Sequence, residues 1–330
     1  MKYFAKRLGF ALFTLMLASF MTFLILRAMP GDIVEMMSRT EAQARGINLE
    51  DARKIVVNMI NYDPDEPLIS QLARYYGGLL RGNLGISMFS RTLTVNTIIA
   101  NTLPWTMFVL SISLTVSFLI GTRLGTLMAW KRNSFINPAI SVYAIITTAI
   151  PNFIFGVLLI LIFCINLNWF PIAGAYSPEI KPGFTLEFIV DIFYHGALPM
   201  LTYILTSVGG WALQMKGVAV SILGEDYITA ARARGVPDRL IMKKYMKKNA
   251  MLPMVTSLAM SFGIMVGGST LIESTFSYPG MGAFISQATA QRDYTMMQGM
   301  LLATSFAIIL ANLIADFVYA KLDPRVRLEG

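Results

Sequence analysis

The sequence predicts an all-α integral membrane protein with six transmembrane helices, cytoplasmic N and C termini, and a small helical external insertion after the first span. Three observations carry this prediction. Apolar residues make up 55% of the 330-residue chain and charged residues only 14%, against roughly 25% charged in an ordinary soluble domain, and mean hydropathy is +0.59. Six apolar stretches, near 9–29, 104–130, 136–165, 196–216, 251–273 and 298–320, reach the roughly 20 residues that a helix needs to cross the hydrocarbon core. Lys and Arg concentrate in alternate connections, as retention of positive charge on the cytoplasmic side requires. The same rule accounts for the net charge of +8, which in a soluble chain would suggest nucleic acid.

Taken in order, Lys2, Lys6 and Arg7 precede the first span and place the N-terminus inside. The apolar run 9–26 is long for a signal-peptide core and no Ala-x-Ala site follows, so it reads as a retained helix within the unit 1–30. The segment 31–103 is the one sizeable external insertion, with seven basic residues against eight acidic. In it Asn48 can cap a helix carrying Ile55, Val56, Met59 and Ile60 on one stripe. Asp63-Pro64 ends that helix, and Pro67 can begin another bearing Leu68, Leu72, Tyr75 and Leu79. A third piece, 95–103, is expected along the membrane interface before Pro104 opens the second span.

The remainder, 104–330, reads as a five-helix core. Lys131 and Arg132 mark an inner turn, while the connection 166–195 and the segment 274–297 carry one basic residue each, Lys181 and Arg292. The loop 217–250 lies inside, and with Lys216 at its edge the connection holds eight basic residues against Glu225, Asp226 and Asp238. Lys321, Arg325 and Arg327 return the C-terminus to the cytoplasm.

Chemistry is sparse. No G-x-x-x-x-G-K-[ST], G-x-S-x-G, H-E-x-x-H or paired-Cys motif occurs, so neither a P-loop nor a recognisable catalytic or metal site is present in the sequence. No catalytic, cofactor-binding or metal-ligating residue is assigned. The one His, His195, reads as a surface or capping residue at a membrane boundary, and the one Cys, Cys164, excludes an internal disulfide. Arg123 can snorkel to the inner surface, and a pair with Asp316 is possible. Gly263, Gly267 and Gly268 permit close helix approach, Gly209 and Gly210 suggest a hinge, and Trp169-Phe170-Pro171 reads as an interfacial anchor.

The inner stretch 225–253 is different. Residues 226–234 can form about two turns of helix carrying Ala230, Ala231 and Ala233. Gly235-Val236-Pro237 breaks it, and a second helix bears Lys243, Lys244, Lys247 and Lys248. A merely solvated loop has no need of the break, the paired alanines, or the apolar Tyr227, Ile228, Val236, Leu240 and Ile241. Those residues suit insertion into a partner's cleft, while the lysines suit anionic lipid.

At this loop the sequence resembles the permease subunits of ATP-binding-cassette importers, whose inner signature is matched by Glu225, Ala230, Ala231, Gly235 and Leu252-Pro253. The resemblance is closest to the dipeptide/oligopeptide/nickel branch, in its first or B-type permease subunit. It extends over the whole chain through Met29-Pro30-Gly31-Asp32, Gly82-Asn83-Leu84-Gly85-Ile86-Ser87, Ile150-Pro151-Asn152-Phe153, Glu273-Ser274-Thr275-Phe276 with Pro279-Gly280-Met281-Gly282, and Leu322-Asp323-Pro324-Arg325. The resemblance implies a type I importer fold and a second, homologous permease with which this chain forms a heterodimer around the path. It also implies two separate ATPase subunits, an external substrate-binding protein and no cofactor in this chain.

ATPase coupling then falls on Glu225, Asp226, Tyr227, Ala230, Ala231 and Gly235, and a possible path or gate on Glu273, Phe276, Pro279, Gly280 and Gly282. Di- and oligopeptides are the expected cargo, with oligosaccharides or nickel as the alternative. An ion-coupled secondary carrier would need a midplane acid or His, for which the sequence offers no clear candidate. A non-transporting membrane scaffold is the remaining alternative.

Overall fold

A computed structural model describes residues 2–29, 33–60, 62–90, 92–131, 133–265 and 270–322, except for the side chains of 2–6, 33, 60, 265 and 314–322. Among the described residues the regular elements are helices, with one isolated antiparallel bridge between Ile86 and Thr94. The first span is α1 (Lys2–Ala28). Its apolar surface is largely exposed, with Phe10, Phe13 and Met16 facing outward and Phe23 and Leu26 buried, as for a helix whose solvent is lipid.

The insertion holds three helices where the sequence pattern suggests two: α2 (Ile33–Arg45), α3 (Leu49–Ile60) and α4 (Leu68–Leu80). Asn48 caps α3 as expected, its side-chain oxygen accepting from Asp51 N at 2.8 Å, and Val34, Ala52 and Val56 are fully buried in the hairpin of α2 and α3. The α4 stripe holds at Leu72, Tyr75 and Leu79, which are half-buried, but not at its start, where Leu68 is 54% exposed; the buried residue of the helix is the polar Gln71.

The largest correction concerns 95–103. These residues do not lie along the interface; they are the first turns of α5 (Val95–Trp130), a 36-residue helix that continues through Pro104. Thr94 caps it by accepting from Thr97 N at 3.2 Å. A proline inside a helix forfeits one backbone bond, yet α5 keeps its course because it packs along α8 (Leu186–Leu223) for much of its length. Between them, α6 (Ile136–Ala149) and α7 (Asn152–Leu159), which continues as π-helical backbone over Ile160–Asn166, share the expected third span. That span is bent by 95° at Ile150-Pro151. Ile150 is extended (φ −96°, ψ 127°), as the residue before a proline prefers.

After α8 come α9 (Asp226–Ala233), the single turn α10 (Asp238–Leu240) and a π-helical stretch Ile241–Lys247 that runs into α11 (Lys248–Met265). The outer end is built from α12 (Thr270–Thr275), α13 (Met281–Gln291) and the start of α14 (Tyr294–Leu322). Among the described residues, four helices, α1, α5, α8 and α14, are long and apolar enough to cross a membrane, or five if the bent pair counts as one span. Of the expected span 251–273, the described parts belong to α11 and α12, and residues 266–269 lie outside the described residues. Gly267, Gly268, Arg132, Pro30-Gly31-Asp32, 323–330 and the side chain of Asp316 lie outside the described residues, and with them the Arg123–Asp316 pair.

Small residues set the helix spacing. A Cβ at Gly121 would lie 2.4 Å from Trp211 Cβ, and one at Gly125 would lie 2.4 Å from Ala212 O, so α5 and α8 touch backbone to backbone. Gly263 likewise meets Ala311 and Ile308 of α14. Gly209 is not a hinge. It sits in unbroken helix with Ala144 Cα 2.6 Å from where its Cβ would be, whereas Gly210 faces open space. His195 is likewise no surface residue: its side chain is 7% exposed inside α8.

The neighbouring glycines give a matched test. Both Gly→Ala changes gain up to about 1 kcal/mol of helix propensity, but Gly209→Ala must also displace α6, an overpacking cost of roughly 1–3 kcal/mol. In thermal unfolding of the detergent-solubilised chain, Gly210→Ala is expected to match or exceed the parent, and Gly209→Ala to melt lower.

Candidate functional site

The inner loop is folded rather than loose. Gly224 caps α8 and Glu225 opens α9 in extended conformation. At its far end Gly235 takes φ +75°, and two bonds close the helix: Gly235 N donates to Arg232 O at 2.9 Å and Val236 N to Ala231 O at 3.1 Å. This is the Schellman arrangement, in which a left-handed residue satisfies the last free carbonyls, and glycine adopts it without side-chain strain. Pro237 then starts α10.

Burial divides α9 into two faces. Ile228 and Ala231, three residues apart and therefore on one side, are both 0% exposed. They pack with Phe118 and Ala129 of α5, Trp211 and Met215 of α8, and Ile241 and Met246 of the π-helical stretch. This corrects two expectations. Ile228 and Ile241 are not offered to a partner's cleft, and Ala231 does not belong with the outward-facing coupling residues; all three are core. Glu225, Asp226, Tyr227, Ala230 and Gly235 do lie at the surface. Tyr227 is 39% exposed and its hydroxyl accepts from Asn249 Nδ2 at 3.2 Å, tying α9 to α11. Lys243, Lys244 and Lys248 are exposed on the adjoining helix and Lys247 half-buried.

The second group lies at the outer end, where Glu273, Phe276, Gly280 and Gly282 are buried and Pro279 half-buried. Glu273 Oε1 accepts from Thr106 Oγ1 of α5 at 2.9 Å, while Oε2 accepts from the backbone N–H groups of Gly282 at 2.7 Å and Ala283 at 3.2 Å. Thr106 Oγ1 in turn accepts from Met281 N at 2.8 Å. The carboxylate therefore sits on the free N–H groups that open α13, where the helix dipole favours negative charge. Gly280 is required for this approach, since a Cβ there would lie 2.4 Å from Glu273 Oε2. Phe276 packs against Gly156 of α7. The sequence motif is thus a tightly packed junction joining α12, α13 and α5.

Two carboxylates that the sequence reading passed over do similar work. Asp293, 1% exposed, accepts from Ser87 Oγ at 2.5 Å, Phe89 N at 3.2 Å and Met296 N at 2.9 Å. It caps α14 and holds the Gly82–Ser87 motif against it. An Asp just before the apolar run of α14 is a readable capping signal. Asp191 accepts from Ser177 N at 2.6 Å and Ser177 Oγ at 2.9 Å, anchoring the outer connection before α8. Thr106 carries no such signal, because a lone Thr in an apolar helix gives no hint of its partner.

The family described as "Binding-protein-dependent transport system inner membrane component" matches residues 121–328. Over nearly full length the chain is 31% identical to a putative peptide permease protein of Brucella suis biovar 1, with 99% of each chain covered. It is 31% identical to the glutathione transport system permease protein GsiC of Escherichia coli, again with 99% of each covered. With the oligopeptide transport system permease protein AppB of Bacillus subtilis it shares 29% identity over 93% of each chain.

Two substitutions probe this geometry. Thr106→Val removes both a donor to Glu273 and the acceptor for Met281 N, and is expected to cost about 1–3 kcal/mol in thermal unfolding, with Thr106→Ser retaining most of it. At Gly235 nothing crowds the side-chain position, so only the backbone resists: Gly235→Ala is expected to cost about 1 kcal/mol and Gly235→Asn less.

Proposed function

This chain belongs to the family of inner membrane components of binding-protein-dependent transport systems, and on that basis we propose that it is one permease half of an ATP-driven peptide importer whose α9 docks the ATPase. Such systems work with ATPase and binding-protein partners, and the chain is a multi-pass component of the inner membrane. Peptide cargo is supported by the names of its relatives, which transport peptides, oligopeptides and glutathione. The relatives named above do not extend that support to nickel or oligosaccharide cargo.

In this reading the chain crosses the membrane six times with both termini inside, the bent pair forming the third span and α11 with α12 the fifth. It pairs with a second, homologous permease around the path, and each permease loop seats on one of two ATPase subunits. Hydrolysis takes place on those subunits, since no P-loop occurs here. An external binding protein delivers cargo from outside, with 31–94 as its candidate contact surface.

The observation that carries the proposal is the two-faced α9. Its inner face, Ile228 and Ala231, is locked among α5, α8 and the π-helical stretch. Movement imposed on its outer face therefore passes to the spanning helices instead of being absorbed by a slack loop. Glu225 and Asp226 offer charge at the N-terminus of α9, Tyr227 an aromatic edge, and Ala230 a flat surface for close approach. ATP-driven closure shifts the permease only by the difference in docking free energy between its inward- and outward-facing states. The outer residues Glu273, Phe276, Pro279, Gly280 and Gly282 serve in this account to hold α13 in place at the mouth of the path, rather than to line it. The lysines of 243–248 face anionic lipid.

Adjacent alanines separate docking from folding. In the assembled complex reconstituted in proteoliposomes, Ala230→Asp is expected to lower substrate-stimulated ATP hydrolysis at least tenfold while leaving the melting temperature unchanged. Ala231→Asp buries an unpaired charge and is expected to abolish folded protein. Normal stimulation by the Ala230→Asp complex would overturn the docking assignment.

A further inference from the structure

Among the described residues, no charge of opposite sign pairs with the charged side chain at the outer end of α1. Arg27 donates from Nε to Gln71 Oε1 at 2.8 Å, and its guanidinium lies between two aromatic rings, 4.7 Å from the Phe23 centroid and 4.8 Å from that of Tyr62. The rings fix its plane and shield it from water. Its Nη1 is buried and has no hydrogen-bond partner, and among the described residues no carboxylate pairs with it. A guanidinium held in this way is costly unless an anion completes it.

A cavity of about 820 Å³ opens beside it, between α1, α4, the Gly82–Ser87 segment and the start of α14. Gln298, 4% exposed, also lines the cavity, and its Nε2 is buried without a partner. Tyr75 adjoins it. Arg74 and Arg81 complete the charged part of the wall, and no Asp or Glu is among its described lining residues. Arg74 is itself paired with Glu66, at 2.5 Å, so the unmatched buried charge is that of Arg27.

The position of α4 identifies the source of the anion. Its Tyr76 hydroxyl meets Ser19 Oγ at 2.9 Å and Met16 O at 3.3 Å. These residues precede Arg27 on the spanning helix by eight and eleven positions, or about 12 and 16 Å at 1.5 Å per residue. Helix α4 thus runs antiparallel along α1, its start beside Arg27 and its end reaching the middle of the apolar run 9–29. Consistent with this depth, its Leu68, Ile69 and Leu80 are 54%, 82% and 89% exposed. The cavity therefore opens at the level of the outer lipid headgroups.

We propose that this cavity binds the phosphate of an anionic membrane phospholipid, with Arg27 Nη1 and Gln298 Nε2 as its buried donors. Bound there, the lipid supplies the missing negative charge and joins the external insertion to the first span and α14.

The test uses the delipidated full-length chain in detergent, titrated with short-chain phosphatidylglycerol and followed by thermal unfolding and by native mass spectrometry. Phosphatidylglycerol is expected to raise the melting temperature by several degrees and to remain bound at one copy per chain. Arg27→Gln is expected to reduce its affinity at least tenfold, and Arg27→Lys to retain part of it. If Arg27→Gln fails to fold, Gln298→Leu and Arg27→Lys decide the matter, each by reduced lipid retention. Equal stabilisation by phosphatidylcholine, or retention unaffected by all of these changes, would overturn the proposal. So would an equal Arg27-dependent shift with inorganic phosphate or a dipeptide, which would assign the site to a soluble anion.

Discussion

The contact between α5 and α8 sets the geometry of everything attached to them. Gly121 and Gly125 let the two backbones touch, and helices packed this closely cannot slide or rotate without clashing. Thr106 near one end of α5 holds the outer junction, while Phe118 and Ala129 toward the other join the cluster that seats α9. From Thr106 to Ala129 is about 35 Å of helix at 1.5 Å per residue, enough to span the hydrocarbon core. One rod therefore connects the cluster that seats α9 to the junction at the start of α13. In the proposed function this is the route by which a displacement at α9 would reach α13.

At the outer end, three buried carboxylates replace what an apolar core alone could not fix. Glu273, Asp293 and Asp191 accept from backbone N–H groups and from the hydroxyls of Thr106, Ser87 and Ser177. An ionised acceptor makes hydrogen bonds roughly twice as strong as a neutral one. Each acid latches one irregular outer segment onto a long helix, which explains acidic residues in so apolar a chain without a proton pathway. Arg27 is the contrasting case, a half-buried charge with no carboxylate paired to it among the described residues.

The all-helical, multi-pass membrane class was legible in the sequence because hydrophobic length is a property of single segments. The same is true of the cap at Asn48 and the break at Gly235, each set by a few neighbouring residues. What failed depended on partners distant in sequence. The pattern could not show that Val95 to Leu103 continues into α5, because the packing of α8 overrides Pro104. It gave Ala230 and Ala231 the same role, since only the position of α5 and α8 decides which of them faces inward. Gly209 and Gly210 read alike until Ala144 is placed beside one of them. Glu273 and Gly280 show the same limit: the sequence places them in one motif, and only the structure shows that the carboxylate meets the start of α13 across Gly280.

The central claim is that the outer face of α9, and not the lysine-bearing stretch after it, meets the ATPase. Site-specific crosslinking from single cysteines in a Cys164→Ser background measures this directly, with one cysteine at Ala230 and a second, separate variant at Lys244. The account predicts an ATPase-linked product from position 230 in the assembled complex, with a yield that changes on ATP binding, and none from position 244. A product from position 244 alone, or none from position 230 in a complex that still hydrolyses ATP in response to cargo, would contradict it.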